Sequence, residues 1–565
     1  MSEEEAPDSR VCIGVSFGNS YSSIAYTAAD GKTEVIANED GDRQIPSILS
    51  YVSGEEFNGN QAKAQLVRNP ENTVVCFRDF LGREFKDIDP TPCHTSAHPI
   101  SQDSTIAFNI CDDDSGNAHP VSISTITTRH LARLKASASD YLGRNVTHAV
   151  LTVPTNFTPA QQEALKACAA EAKISILHFI HEPISSLLAY DARSPDTASP
   201  SDKNVVVVDI GATRSDVTVV ASRGGIYTIL ATQHDYDTAG TQLDSVLIDH
   251  FAKAFLQKHK TSTDPRTTPR SLAKMKLECE NVKKHLSLST SATFSVESLV
   301  SGLDFTLTIN RSRYELLASK HFQALGRLVL AGVTKAGLDP LDVSEIVMAG
   351  GSSHTPRIAS AIAALFPEET RVFSPATDNN AVNPSEAAAR GAAIQASLIA
   401  EFEEKDIEES VHAVVTSTPH LEATVGLVGA GDSFLPVVLK DTPVPVRKTV
   451  TVAAPKDGGD VLVRIAEGER AIDVTVAEKV EKKTNGAKTD DEDSDEASES
   501  DDEPEEIRKV VWKATKPVAE AGVAGVKKGG KVEVQISVHA DLTVHVQIRE
   551  VGGKGGVRGT VEASS

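Results

Sequence analysis

With 565 residues, 40% of them hydrophobic and 24% charged, the chain is long enough for several domains. Its composition lies close to globular averages, which excludes collagenous, wholly disordered and membrane-embedded classes. Lys and Arg number 56 against 79 Asp and Glu, a formal charge of −23, so a phosphate backbone or anionic lipid repels the chain as a whole and direct nucleic-acid or membrane binding is not expected. The six cysteines (Cys12, Cys76, Cys93, Cys111, Cys168 and Cys279) form no CxxC pair, too sparse for a disulfide framework or structural zinc. The start, MSEEEAPDSR, is acidic where a leader is basic, and no apolar run reaches the ~20 residues of a membrane span, so a cytoplasmic protein is expected.

In chain order, the first signal is VCIGVSFGNSYSSIAYT at 11–27, which predicts a strand, a tight turn at Gly18-Asn19-Ser20 and a returning strand. Such a turn aims backbone N–H groups and short hydroxyls at an anion without a lysine. Residues 159–172 and 242–256 read as amphipathic helices. Between them, VVVVDIGATRSDVTVV at 205–220 repeats the strand–turn–strand shape, with Asp209 ending one strand and Asp216 in the next; two similar hairpins predict two related lobes. A third turn, EIVMAGGSSHTPRI at 345–358, runs a buried strand into Gly350-Gly351-Ser352 and then a helix, whose N-terminus favours a phosphate or sugar oxygen. Sheets covered by helices are thus expected to about residue 400. Beyond it, alternating segments at 459–466, 471–477 and 531–537 predict an antiparallel β-domain. An acidic run, TDDEDSDEASESDDEPEE within 483–506, has nothing to bury and reads as a disordered insert in that domain.

Together the three turns resemble the actin and sugar-kinase fold, and within it the seventy-kilodalton heat-shock chaperone family. The likeness extends to TVPTNFTPAQQEAL (152–165), HEPISSLLAY (181–190), CENVKKHLS (279–287) and NPSEAAARGAAIQA (383–396). It implies an actin-like two-lobed α/β nucleotide-binding domain over 1–400 with ATP in its cleft, a linker at 401–416, and a small antiparallel β-sandwich peptide-binding-like domain at 417–555. Position by position, the phosphate loops become Gly18, Asn19, Ser20 and Tyr21 with Gly211, Ala212 and Thr213 opposite, and Gly240 deeper in the cleft. Adenosine contacts fall to Glu280, Lys283, Lys284 and Ser287, with Gly350, Gly351, Ser352 and His354. The stem of Lys284 and the ring of His354 suit the faces of adenine.

Several positions depart from the family pattern. An Asp of the first loop, oriented toward hydrated magnesium, is Ser16 here, and a hydroxyl does not replace a negative charge opposite a divalent cation. The Lys that positions attacking water is Arg78, counted among the nucleotide-binding residues because its planar guanidinium can clamp phosphate in two places, but longer and with its donors in a different geometry. Three glycines and a Thr become Gly211-Ala212-Thr213-Arg214, the first Thr of the first loop is Asn19, and a Leu-Gly-Gly turn reads Thr238-Ala239-Gly240. Arg214 is expected to bond the terminal phosphate, adding affinity without speeding turnover if ground and transition states are held equally. Glu182, Asp209 and Asp216 persist, which leaves magnesium open. Since one lost positioning group costs ~10²–10³ in rate, the resemblance implies a probable pseudo-ATPase rather than an enzyme, ATP serving as a structural ligand.

The linker carries Val411, Ala413, Val414 and Val415 where the family has leucines, and no ~100-residue helical lid follows the β-domain, so interdomain coupling is expected to be weak. These departures, with VSFGNSYSSIAY and VIANEDGDRQIPSILSYV (35–52), resemble atypical fungal members of the family that pair stably with the J-domain protein zuotin in the ribosome-associated complex. That likeness implies a cytoplasmic, ribosome-associated co-chaperone. By the same likeness it is expected to touch the ribosome through its partner and to support nascent-chain folding by a second heat-shock chaperone; whether the β-domain itself meets nascent chains stays open. The competing readings are an active ATP-hydrolysing peptide-binding chaperone, a sugar or glycerol kinase, and a nucleotide exchange factor.

Overall fold

The computed structural model describes residues 10–476 and 506–561, apart from breaks at 94, 103–104, 114–115, 194–201, 261–262, 411–417 and 554–555. The chain divides into two compact units, Met1–Thr416 and Ser417–Ser565. Among the described residues, no helix is long and apolar enough to cross a membrane.

The first unit is a duplicated α/β architecture. One sheet runs, from its edge, through Thr33–Ile36, Tyr21–Thr27, Cys12–Phe17, His148–Val153 and Ser175–His181, and the other repeats that order with Ile226–Asp235, Ser215–Arg223, Lys203–Ile210, Glu345–Ala349 and Arg371–Phe373. In both, three strands pair antiparallel through short turns and two join parallel after long crossovers, the connection lengths each pairing demands. The valine run explains itself in this setting. Val206 and Val208 enter one hydrophobic cluster while Val205 and Val207 enter another on the opposite face, as a central strand covered on both sides requires.

Two helices tie the lobes together at their base. Glu182–Asp191 buries Leu187 and Tyr190 against Val205, Val207 and Val347 of the second sheet, while Ala392 and Ala396 of Ala387–Ile399 pack with Val150, Leu177 and Ile180 of the first. The alanine-rich sequence lets these helices approach closely. A Cβ on Gly391 would lie 1.6 Å from the Ser185 carbonyl oxygen, and the Ser185 hydroxyl donates to the Ala388 carbonyl oxygen at 2.6 Å.

The expected helices form over Pro159–Glu171 and Gly240–His259; Thr158 and Gln161 cap the first reciprocally, satisfying otherwise orphaned N–H groups. The expected linker begins later than residue 401. Glu404–Ser410 is a helix whose Ile407 is buried with Val150, Leu177 and Ile180, and Arg10 donates to the Phe402 carbonyl oxygen. One isoleucine among acidic residues suffices to dock that turn, and charge alone hid it. Val411, Ala413, Val414 and Val415 lie outside the described residues.

The second unit contains two four-stranded antiparallel sheets. One orders Phe434–Val438, Thr424–Val428, Gly459–Val476 and Glu506–Val526; the other orders Val446–Ala453, Lys531–Val538, Val544–Glu550 and Gly556–Val561. Val425, Leu427 and Ile465 of the first share one core with Val534, Ile536 and Ile548 of the second. The segments expected at 459–466 and 471–477 are one continuous strand. Irregularities at Ile465/Ala466 and Glu467/Gly468 absorb the polar GER interruption without ending the pairing. The acidic insert expected at 483–506 lies outside the described residues except for Glu506, which pairs with Val476.

Gly391→Ala should destabilise the first unit by about 1–3 kcal/mol or more, since its methyl would meet fixed backbone. Denaturant unfolding would reveal this as a lower midpoint at unchanged slope, whereas an unaltered midpoint would show that the two helices are free to move apart.

Candidate functional site

The site lies where the turns of the two duplicated hairpins face each other. Gly18 N–H donates to the Tyr21 carbonyl oxygen at 3.1 Å and Gly211 N–H to that of Arg214 at 2.9 Å, so both turns close in the same way. Asn19 Nδ2 donates to Thr213 Oγ1 at 3.2 Å, joining the loops across the cleft. Ser20 is half-buried beside them. Gly240 N–H donates to Gly211 O at 3.0 Å, and Thr241 N–H to Ala212 O at 2.8 Å. Ser352 Oγ donates to the same Gly211 oxygen at 3.1 Å. Gly211, Ala212, Gly240 and Ser352, far apart in sequence, thus form one backbone-lined corner.

Gly350 has φ of +80°, and a Cβ there would lie 2.3 Å from Asp209 Oδ1; the turn needs glycine both for its left-handed backbone and for its closeness to the carboxylate. Gly351 opens a short 3-10 turn ending at His354. His354 Nε2 pairs with Asn383 Oδ1 and Ser385 Oγ, both at 3.1 Å, and burial holds its pKa below the ordinary value. A neutral imidazole fixed at its edge presents a flat face.

Helix Pro269–Leu288 carries Glu280, Lys283, Lys284 and Ser287 at spacings that share one face. Their engagements differ. Lys283 Nζ donates to Gly240 O at 3.0 Å and pairs with Asp244 at 2.8 Å. The Ser287 hydroxyl donates back to the Lys283 carbonyl oxygen of its own helix at 3.2 Å. Glu280 accepts from the Tyr21 hydroxyl and pairs with Lys63 at 2.7 Å and Lys284 at 2.8 Å, while both ammonium groups also lie over the Tyr21 ring, 5.1 and 4.7 Å from its centroid. Lys63, from Gly59–Gln65, was not singled out in the sequence; a single lysine in a short helix gives no signal until the lobes meet.

Burial alone would raise the Glu280 pKa, but Lys63 and Lys284 outweigh it and hold the carboxyl far below its ordinary range. Burial instead pulls Lys63 down, offset by Glu280 and deepened by Lys284. The asymmetry is physical, for one carboxylate answers two ammonium groups while those ammonium groups share it.

Beneath the loops lies a buried charge cluster. Arg78 is 7% exposed. Its Nη1 donates to Phe17 O at 3.1 Å and Glu182 Oε1 at 3.0 Å, and its Nε and Nη2 reach Asp79 Oδ1 at 2.8 and 2.7 Å. Arg214, 6% exposed, donates from Nε to Asp216 Oδ2 at 2.7 Å and from Nη1 to Asn156 Oδ1 at 3.1 Å. His234 Nδ1 takes the other Asp216 oxygen. Arg214, expected to reach a terminal phosphate, bonds Asp216 and Asn156 here, because a carboxylate two residues on lies within reach of its fork. Burial, with Glu182 and Asp216 nearby, pushes the Asp209 carboxyl up to about 8. Asp79 and Asn156 were also missed; their roles depend on which cation each meets.

A double-mutant cycle of Lys63→Ala and Glu280→Ala should give a coupling of about 1–3 kcal/mol in unfolding free energy at neutral pH. Because the folded carboxyl pKa is depressed, that contribution is complete above the unfolded value of about 4.3 and is lost as pH falls below it. Additive effects, or a coupling that grew on acidification, would contradict the geometry.

The chain matches the Hsp70 protein family over residues 12–518. It is 41% identical over 97% of its length to the Saccharomyces cerevisiae protein named ribosome-associated complex subunit SSZ1, covering 99% of that protein. It is 40% identical over 98% of its length to a heat shock protein 70 homolog of Schizosaccharomyces pombe, covering 96% of it. Against heat shock cognate 70 kDa protein 3 of Dictyostelium discoideum the identity is 31%, over 81% of this chain and 71% of the relative. On this evidence the chain belongs to the Hsp70 family.

Proposed function

We propose that the cleft binds ATP without hydrolysing it efficiently, and that the protein acts with a J-domain partner of the zuotin type at the ribosome, supporting nascent-chain folding by a second heat-shock chaperone. The observation that carries the first part is the state of Arg78. Its guanidinium is immobilised on Phe17 O, Asp79 and Glu182, beside a strand where position 16 is an uncharged serine. Phosphoryl transfer depends on positioning water in line with phosphorus and on stabilising the charge that develops. A guanidinium held by three protein partners is poorly suited to guide water, and Ser16 supplies no charge to orient a hydrated cation.

ATP would lie with its phosphates between Gly18–Ser20 and Gly211–Thr213 and its adenosine between Lys284 and His354. The cleft also fits a cation in part: Asp209, buried beside two further carboxylates with its pKa pushed up, is a group that positive charge would relieve, and it would hold magnesium with the polyphosphate. Bound magnesium supplies charge neutralisation for the phosphates; this chain's residues supply the backbone cradle. Nucleotide that is bound but not turned over stabilises the closed lobes by RT ln(1 + [L]/Kd), which makes ATP a structural ligand.

The co-chaperone role rests on near full-length similarity to a ribosome-associated complex subunit. Two sheets enclosing one core in the second unit support a β-sandwich of the peptide-binding type. The retained Glu182, Asp209 and Asp216 favour the second reading, an active ATP-hydrolysing chaperone.

Single-turnover incubation of the purified chain with radiolabelled ATP separates the two: retained ATP after an hour supports the proposal, and conversion to ADP within minutes supports the enzyme. Joint replacement Ser16→Asp and Arg78→Lys should raise turnover measurably, on the order of tenfold or more if these positions are the deficit; an unchanged rate would place the deficit elsewhere in the cleft. Co-elution of the chain with its zuotin-type partner in size-exclusion chromatography tests the complex.

A further inference from the structure

Arg214 contacts both lobes. It belongs to the second-lobe turn between Lys203–Ile210 and Ser215–Arg223, and its Nε is fixed on Asp216 of the same hairpin at 2.7 Å. Asn156, which accepts from Arg214 Nη1 at 3.1 Å, lies in the first lobe, in the turn between His148–Val153 and Pro159–Glu171. The remaining surroundings restrain the guanidinium further. Tyr236 of the second lobe stands beside it, with the ring centroid 5.8 Å away, and Asp216 is itself anchored from behind by His234. The charges acting on Arg214 come from both sides, since it is attracted by Asp216 of its own lobe and by Asp79 and Glu182 of the other, and is set against the like charge of Arg78. At 6% exposure these interactions are poorly screened by solvent.

We propose that Arg214 is an interlobe latch: by clamping Asp216 to Asn156 it holds the cleft closed whether or not a nucleotide is present, and so sets the rate at which nucleotide leaves. Opening the lobes breaks the Arg214–Asn156 bond and draws a buried cation away from two first-lobe carboxylates. A hydrogen bond to a charged group shifts such an equilibrium by about 10- to 100-fold. Lysine would keep the pair with Asp216 but lacks the planar fork that reaches Asn156 at the same time. Arg214 is a positioning residue in this scheme; it acts on closure and not on the phosphates.

The inference rests on the reading of the cleft as a nucleotide site only for its kinetic consequence, and the test keeps the two apart. Release of fluorescent ATP and ADP analogues from the full chain is timed by stopped flow for the native protein, Arg214→Ala, Arg214→Lys, Asn156→Ala and the Arg214→Ala/Asn156→Ala double variant. The latch predicts that Arg214→Ala speeds release of both analogues alike, by about 10- to 100-fold. Asn156→Ala and Arg214→Lys should follow in the same direction with smaller effects, and the double variant should be no faster than Arg214→Ala. Acceleration confined to the ATP analogue would make Arg214 a terminal-phosphate ligand and overturn the latch, as would unchanged release of both. Amide hydrogen exchange without nucleotide gives an independent readout. Faster exchange at 155–158 and 211–214 in Arg214→Ala supports the latch, and native-like exchange there overturns it. If the native chain binds neither analogue, the nucleotide reading fails while the exchange comparison still decides the latch.

Discussion

The cleft is organised by an electrostatic constraint: four carboxylates, Asp79, Glu182, Asp209 and Asp216, are drawn under two opposed loops where water cannot solvate them freely. Isolated buried carboxylates are too costly to keep ionised. Two guanidiniums offset that cost. Arg78 spans Asp79 and Glu182, and Arg214 takes Asp216, while Asp209 is left opposed by its neighbours and carries the raised pKa. Each arginine is oriented by the carboxylates it neutralises, so the same interactions that make the cluster tolerable also fix two cations beneath the loops.

Closure of the cleft is distributed over three places. Asn19 meets Thr213 at the loops, Arg214 meets Asn156 beneath them, and Tyr21 and Lys63 meet Glu280 and Lys284 of helix Pro269–Leu288. The base of the lobes is joined by a different kind of interaction, the close backbone packing of Glu182–Asp191 on Ala387–Ile399 around Gly391, closed by the Ser185 hydroxyl bond to Ala388. Glu182 couples the two kinds, because it both opens that helix and receives Arg78. Polar contacts at the mouth and close packing at the base suit a hinge that stays intact while its opening is tuned by a few side chains.

Much of this was legible in the residues. The valine run of Val205–Val208, the Gly-containing turns after Phe17, Ile210 and Ala349, and the helices around 159–172 and 242–256 are local patterns, and local patterns survive folding because backbone geometry and side-chain periodicity generate them. The single long strand Gly459–Val476 was not legible, since a polar interruption reads as a break until a partner strand spans it. Nor was the helix Glu404–Ser410, whose apolar anchor, Ile407, gains meaning from a surface that joins Ala392 and Ala396 to Val150, Leu177 and Ile180, the last three more than two hundred positions earlier.

Residue order alone is enough to place two like hairpins with tight Gly-containing turns, a serine at position 16 and an arginine at position 78, and an antiparallel β-domain after about residue 417. Tertiary structure alone decided where the charged side chains go. Arg214 lies on Asp216 and Asn156 rather than reaching outward, Ser287 turns to its own helix, and Lys63 joins Glu280. The reason is that turn chemistry and periodicity act over a few neighbouring residues, whereas the partner of a buried charge is whichever opposite charge or dipole the packed lobes bring within about 3 Å.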